Sequence, residues 1–154
     1  MSNYIINTTN KYIESYNKSI SEPEKFWDEL AKNNFSWYER WSKVLEWDFK
    51  KAKIEWFKHA KLNITVNCID RHAKLTPEKT AIVFEPNNPN EKPKSFTYLE
   101  LLKEVSKTAN VLKSIGVKKG DRVCIYLPMI PELAFSVLAC ARIGAVSYTH
   151  LRAH

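Results

Sequence analysis

The sequence predicts an α/β fold in which a helical and irregular N-terminal segment precedes the first strand-helix units of a parallel sheet. Three observations carry this. Residues 8–34 hold two helix-like stretches; residues 35–64 hold four tryptophans with neither the strand nor the helix period; from residue 64 onward, apolar β-prone runs alternate with helical ones. The sheet is barely begun when the chain ends.

Residues 8–20 predict a short amphipathic helix, with Tyr12, Ile13 and Tyr16 at helical spacing. Ser21 and Glu24 form a capping-box pattern around Pro23, and Phe26, Trp27 and Leu30 then make an apolar stripe. The stretch containing Trp37, Trp41, Trp47 and Trp56 predicts irregular chain that covers a larger surface. Aromatic rings bury large areas, and no alternation displays them on one sheet face as a single-strand nucleic-acid platform requires.

A helix is predicted over 66–75, with Val66, Cys68 and Ile69 inward and a break at Thr76-Pro77. The strand TAIVFE follows, then the turn-rich hairpin loop PNNPNEKP and the run KSFTY. Thr97 and Glu100 make a second capping box. It opens a helix that lines Leu101, Val105, Ala109, Leu112 and Ile115 on one face and stops at Gly116. KKGD is a tight turn and RVCIYLP a buried parallel strand. Pro131 begins a helix apolar nearly all round, which ends at Gly144 with a further strand starting at Ala145. Two successive strand-helix units predict a right-handed, doubly wound parallel sheet.

Composition narrows the function classes. With 44% hydrophobic residues and 27% charged ones in 154 residues, the chain has the makeup of one globular domain. No apolar run is long enough to span a bilayer, and no cationic start leads into an apolar signal segment. Cys68, Cys124 and Cys140 are far apart within apolar segments, the pattern of buried thiols in a reducing cytoplasm. The net charge of +7 raises a small basic, aromatic-rich nucleic-acid-binding protein as an alternative, but the lysines are interleaved with acids as on solvated faces.

Several residue groups have chemical potential. Gly120-Asp121-Arg122 reads as turn chemistry. The run NCIDRH gathers Cys68, Asp70 and His72, the residue types of a nucleophile, an acid and a base, with Cys68 and His72 on one helix face. A helix that buries Cys68 denies it the exposed electropositive setting of a reactive thiol, so capping and packing are expected instead. His150 and His154 have helical zinc-pair spacing, yet Leu151 stands where the zincin pattern has Glu and no third ligand follows. Residues 146–154 (VSYTHLRAH) correspond codon for codon to a common transposase-type sequencing adapter in one frame, so native sequence is expected to end within codon 145.

The segments SISEPEKFWDELAKN, LNITVNCIDRHAK and TANVLKSIGVKKGDRVCIYLPMIPELAFSVLACARIGAV together resemble the N-terminal part of the acetyl-coenzyme A synthetases, within the adenylate-forming acyl-CoA synthetase superfamily. The KKGDRVCIYLPMIPE block is shared across the superfamily, whereas PEKFW and NCIDRH favour its short-chain acyl branch. The resemblance implies an N-terminal cap segment over 1–65 and the truncated start of an AMP-binding, adenylating domain over 66–145. It implies a full-length parent that is a soluble cytoplasmic acetate–CoA ligase using ATP, CoA and Mg²⁺. In such an enzyme acetate attacks the α-phosphate of ATP to give acetyl-adenylate and pyrophosphate, and the CoA thiol then displaces AMP. Propionate or another short acid is the alternative substrate. The family's phosphate loop, nucleotide contacts, CoA-contacting arginines and lid lysine have no counterpart in residues 1–154. No catalytic, cofactor-binding or metal residue is therefore assigned, and the fragment is expected to bind no cofactor and to be inactive. Its expected partner is the remainder of its own adenylating domain, with no membrane and no nucleic acid.

Overall fold

The computed structural model describes residues 6–149. The chain divides into two compact units, Met1–Leu62 and Asn63–His154.

In the first unit, α1 (Thr9–Ser21) and α2 (Pro23–Asn34) follow one another around Glu22. The Thr8 side chain caps α1 by accepting from the Lys11 amide. The Ser21–Glu24 capping box does not form. Ser21 completes the last turn of α1, the N-cap of α2 falls on Glu22, and Glu24 lies one position too early to reach back to it.

The tryptophan-rich stretch is a second correction. It holds an antiparallel hairpin, β1 (Lys43–Asp48) and β2 (Lys53–Lys58), joined by a 3₁₀ turn at Phe49–Lys51 and left-handed Ala52. A Glu39–Lys61 bridge prolongs it. Leu45 faces Trp56 and Trp47 faces Ile54, so these four share one face of the ribbon. The adjacent apolar pair Val44-Leu45 and the lysine at each end obscured that alternation. Asp48 pins the turn by accepting from the Lys50 and Lys51 amides.

Two directional devices fasten the aromatics. The Trp37 indole donates to the Ala31 carbonyl of α2, and that of Trp41 donates to Asp28, each at 2.9 Å. Trp37, Trp41 and Phe57 then cluster with ring centroids 4.9–5.6 Å apart. Across the ribbon Glu46 stands directly opposite Glu55, an unfavourable like-charge pair, but Lys53 and Lys58 donate to Glu46 at 2.8 and 2.6 Å. Those two hydrogen bonds hold the Glu46 carboxyl down at about 2. Ala31 is the one buried residue among those described in this unit.

The second unit opens on a π-helix, Val66–Asp70, which runs into α3 (Arg71–Leu75) where one continuous helix was expected. The wider turn brings Asn67 inward beside Ile69, so both are buried while Cys68 and Val66 are half-buried. Next come β3 (Thr80–Phe84) and β4 (Lys94–Thr97), an antiparallel hairpin across the expected loop. The Thr97–Glu100 capping box forms in both directions and starts α4 (Tyr98–Ser114). Leu101, Val105 and Ala109 are buried as expected; Ile115 lies past the helix end and is 72% exposed.

α5 (Pro131–Ile143) packs on α4 and ends at Gly144, whose φ of 75° is a left-handed helix stop. Of its residues only Glu132 is exposed, as a helix apolar on every side requires. β5 (Arg122–Ile125) and β6 (Val146–Thr149) pair in parallel across this helix. The expected doubly wound sheet is thus present as one parallel pair, because β3 satisfies its edge with β4 instead of joining β5. β5 is also shorter than expected. Tyr126 leaves the sheet and is 92% exposed, and Cys124 faces solvent on the uncovered side of a two-stranded sheet, so only Cys140 of the three thiols is buried.

Phe135, 5% exposed and edge-on to Phe96, sits in the main core, so Phe135→Ala costs about 3–5 kcal/mol, whereas exposed Val111→Ala stays within about 0.5 kcal/mol, measured by denaturant titration of helical circular dichroism. In the hairpin, folded Glu46 keeps its charge to lower pH than the unfolded chain does. Its contribution is complete above about pH 5 and is lost as pH falls toward about 2. All five tryptophans lie in the first unit, so their fluorescence reports this acid transition, and Glu46→Gln flattens it.

Candidate functional site

The most polar enclosed group among the described residues gathers at the start of the second unit. Thr65 and Asn67 are buried, at 0% and 2% exposure, beside the half-buried pair Asp70 and Arg142. The sequence brings them together through the π-helix, which turns Asn67 inward, and through the last turn of α5, which presents Arg142. The Arg142 guanidinium grips Asp70 with two nitrogens, Nη2 to Oδ1 at 2.6 Å and Nη1 to Oδ2 at 3.0 Å, the planar fork that arginine suits. Asn63 completes the group. Its carboxamide oxygen accepts from the amide and hydroxyl of Thr65 at 2.9 and 2.8 Å. Its nitrogen donates to the Ala141 and Arg142 carbonyls at 3.3 and 3.0 Å.

This geometry takes apart the Cys68, Asp70 and His72 grouping. Asp70 gives both oxygens to Arg142. The His72 ring stacks on Tyr98 at 4.8 Å between centroids, and its Nε2 accepts from Arg71 Nε at 3.3 Å. Burial, with help from Arg71 and Lys79, pushes the His72 imidazole below its ordinary value. Burial also pushes the Cys68 thiol up, the reverse of what a thiolate nucleophile needs. These residues pack and pair; they do not form a nucleophile–base–acid relay. Sequence reading found Asp70 but missed Asn63, Asn67 and Arg142. The only available signal was an arginine in the apolar second half of α5, which by itself suggests a solvated cation.

Gly120-Asp121-Arg122 is turn chemistry as expected: Asp121 accepts from the Lys118 amide at 2.8 Å, and the Gly120 amide donates to the Gly144 carbonyl at 2.9 Å. His150 and His154 lie outside the described residues. The described residues do not fit a nucleotide or its metal. Gly116 and Gly120 stand in turns where an added Cβ would enter open space, and Gly144 backs onto the Lys119 side chain, so no glycine loop wraps a phosphate. No three carboxylate, His or Cys side chains converge for a cation among the described residues.

The chain matches two known family models along nearly its whole length. Residues 12–68 match the acetyl-coenzyme A synthetase N-terminus and residues 69–151 the AMP-binding enzymes. The acetyl-coenzyme A synthetase of Leptospira biflexa is 54% identical over 137 residues, and that of Magnetococcus marinus 52% over 136, each alignment covering 88% of this chain and 21% of the relative. The chain therefore spans about a fifth of the curated relatives it matches. Among solved structures, acetoacetyl-CoA synthetase from Streptomyces lividans superposes with a TM-score of 0.76 at 28% identity, covering 86% of this chain and 20% of that one. Both units and the alternation of strands and helices in the second are accounted for by one known architecture: the chain belongs to the AMP-binding enzyme family, preceded by the N-terminal segment typical of acetyl-coenzyme A synthetases.

Proposed function

We propose that this chain is the N-terminal part of an ATP-dependent acetate–CoA ligase whose reacting groups lie in the four-fifths of the enzyme beyond it. The observation that carries the reading is the pair of adjoining family matches, 12–68 and 69–151, with over 50% identity to acetyl-coenzyme A synthetases across both. ATP, CoA and Mg²⁺ belong to the parent, where Mg²⁺ and hydrogen-bond donors stabilise charge developing on phosphate oxygens. The contribution of residues 6–145 is scaffold: β5, the entry at Ala145 to the strand beside it, and the helices that set them. Its partner is the remainder of the adenylating domain, which would continue the sheet beside β5. The cytoplasm is the compartment we assign to the parent. Three free cysteines suit it, and no described helix is long and apolar enough to cross a membrane.

A different short acid is the second reading, favoured by the superposition on an acetoacetyl-CoA synthetase. We also propose that residues 146–154 translate a sequencing adapter. The formation of β6 is neutral on this point, since Val-Ser-Tyr-Thr is β-prone whatever its origin. Resequencing the source DNA past codon 145 tests it, and native codons for SYTHLRAH would overturn it.

Purified residues 1–154 are expected to give no acetate-dependent ATP–pyrophosphate exchange, while the full-length parent gives exchange that acetate stimulates above propionate and acetoacetate. Exchange by the short chain would overturn the placement of the reacting groups. Stimulation by another acid in preference to acetate would overturn the substrate.

A further inference from the structure

The arrangement around Asn63 does more than satisfy polar groups. The last carbonyls of a helix have no partner within it. In α5 the Cys140 carbonyl accepts from the Ala145 amide at 2.9 Å and that of Ala141 from the Gly144 amide at 3.3 Å. The Arg142 carbonyl takes its hydrogen bond from Asn63, which stands 79 residues earlier in the chain. The same helix turn carries the guanidinium that holds Asp70 and reaches the Thr65 hydroxyl at 3.4 Å. Asn63 orients that hydroxyl by accepting from it, and the Asn67 side chain donates back to the Asn63 carbonyl at 3.3 Å.

Directly after the capped turn the chain enters the sheet. The Gly144 carbonyl accepts from the Gly120 amide at 2.9 Å and the Val146 amide donates to the Asp121 carbonyl at 2.8 Å, the two bonds that start β6 beside β5. A continuous series of hydrogen bonds therefore runs from Asn63 through the end of α5 to the first rung of the parallel pair.

We propose that Asn63 is a latch: its carboxamide, acting as one unit with the Arg142–Asp70 pair, locks the end of α5 and its Gly144–Ala145 exit to the start of the second unit, and releasing it frees that exit while the α4 core stays closed. The two halves of the carboxamide have separate duties. Its oxygen shapes the Thr65 turn, and its nitrogen caps α5. Asp at this position would keep the first and lose the second, placing a carboxylate against two carbonyl oxygens.

Amide hydrogen exchange on the full chain tests this, read at Gly144, Ala145 and Gly120, whose amide donates to the Gly144 carbonyl, against Ile115, Gly116 and Val117 at the end of α4. Asn63→Ala is expected to accelerate exchange at the first group roughly tenfold, the equivalent of about one neutral hydrogen-bond pair, without moving the second. Asn63→Asp should accelerate it at least as much, although it is isosteric and retains the acceptor. In an Asp70→Asn background, Asn63→Ala should add clearly less than it does alone, since latch and ion pair act together. Wild-type exchange in Asn63→Asp, equal acceleration at both groups of amides, or simple additivity with Asp70→Asn would each overturn the proposal.

Discussion

The packing of α4 on α5 is the constraint on which the second unit depends. Ala109 and Ala139, at 3% and 0% exposure, let the two helices approach closely, while Val105 and Phe135 fill the space to either side. Everything else in the unit is placed by reference to that contact. Ile69 joins the same core from the π-helix, Phe96 meets Phe135 from β4, and Leu112 and Ile143 extend it to the smaller cluster of Ile125, Cys140 and Ala145 that seats β5 and the approach to β6. The polar group of Asn63, Thr65, Asp70 and Arg142 closes one end of this core with its hydrogen-bonding capacity largely met, the condition on which buried polar atoms are tolerable.

The first unit is built on a different principle. With a single buried residue among those described it shows no comparable apolar interior, and its order comes from directional contacts: indole donors fixed to α2, a Trp37–Trp41–Phe57 ring cluster, and two lysines that neutralise facing glutamates across a hairpin. Such contacts are individually modest near solvent. The match to the acetyl-coenzyme A synthetase N-terminus falls on this unit and the short stretch after it, residues 12–68.

Among the described residues, the groups with chemical potential are engaged in structural contacts. The chain spans about a fifth of its curated relatives. A nucleotide site needs a phosphate cradle and metal-binding carboxylates, and here the three glycines serve three separate turns while Asp70 and Asp121 are committed to Arg142 and to the Lys118 amide. The chemical promise of the run from Cys68 to His72 dissolves for the same reason. Each side chain already has a structural partner or is held in its neutral form by burial.

Read alone, the sequence determined whatever depends on neighbours a few positions away. The Thr97–Glu100 box, the Leu101–Val105–Ala109 stripe, the Gly144 stop and the all-round apolar α5 were legible because capping and helical periodicity are local, and the family likeness was legible because its motifs are contiguous. Tertiary structure decided what depends on distant partners. The failed box at Ser21, the hairpin hidden among the tryptophans and the inward turn of Asn67 turned on which of several local patterns prevailed, whereas the departure of β3 from the parallel sheet and the joining of Asn63 to the end of α5 were settled only by the assembled fold. Arg142 is the sharpest instance. In sequence it is one cation on an apolar helix, and only the fold, by bringing up Asp70 from 72 residues away, makes it part of the interior.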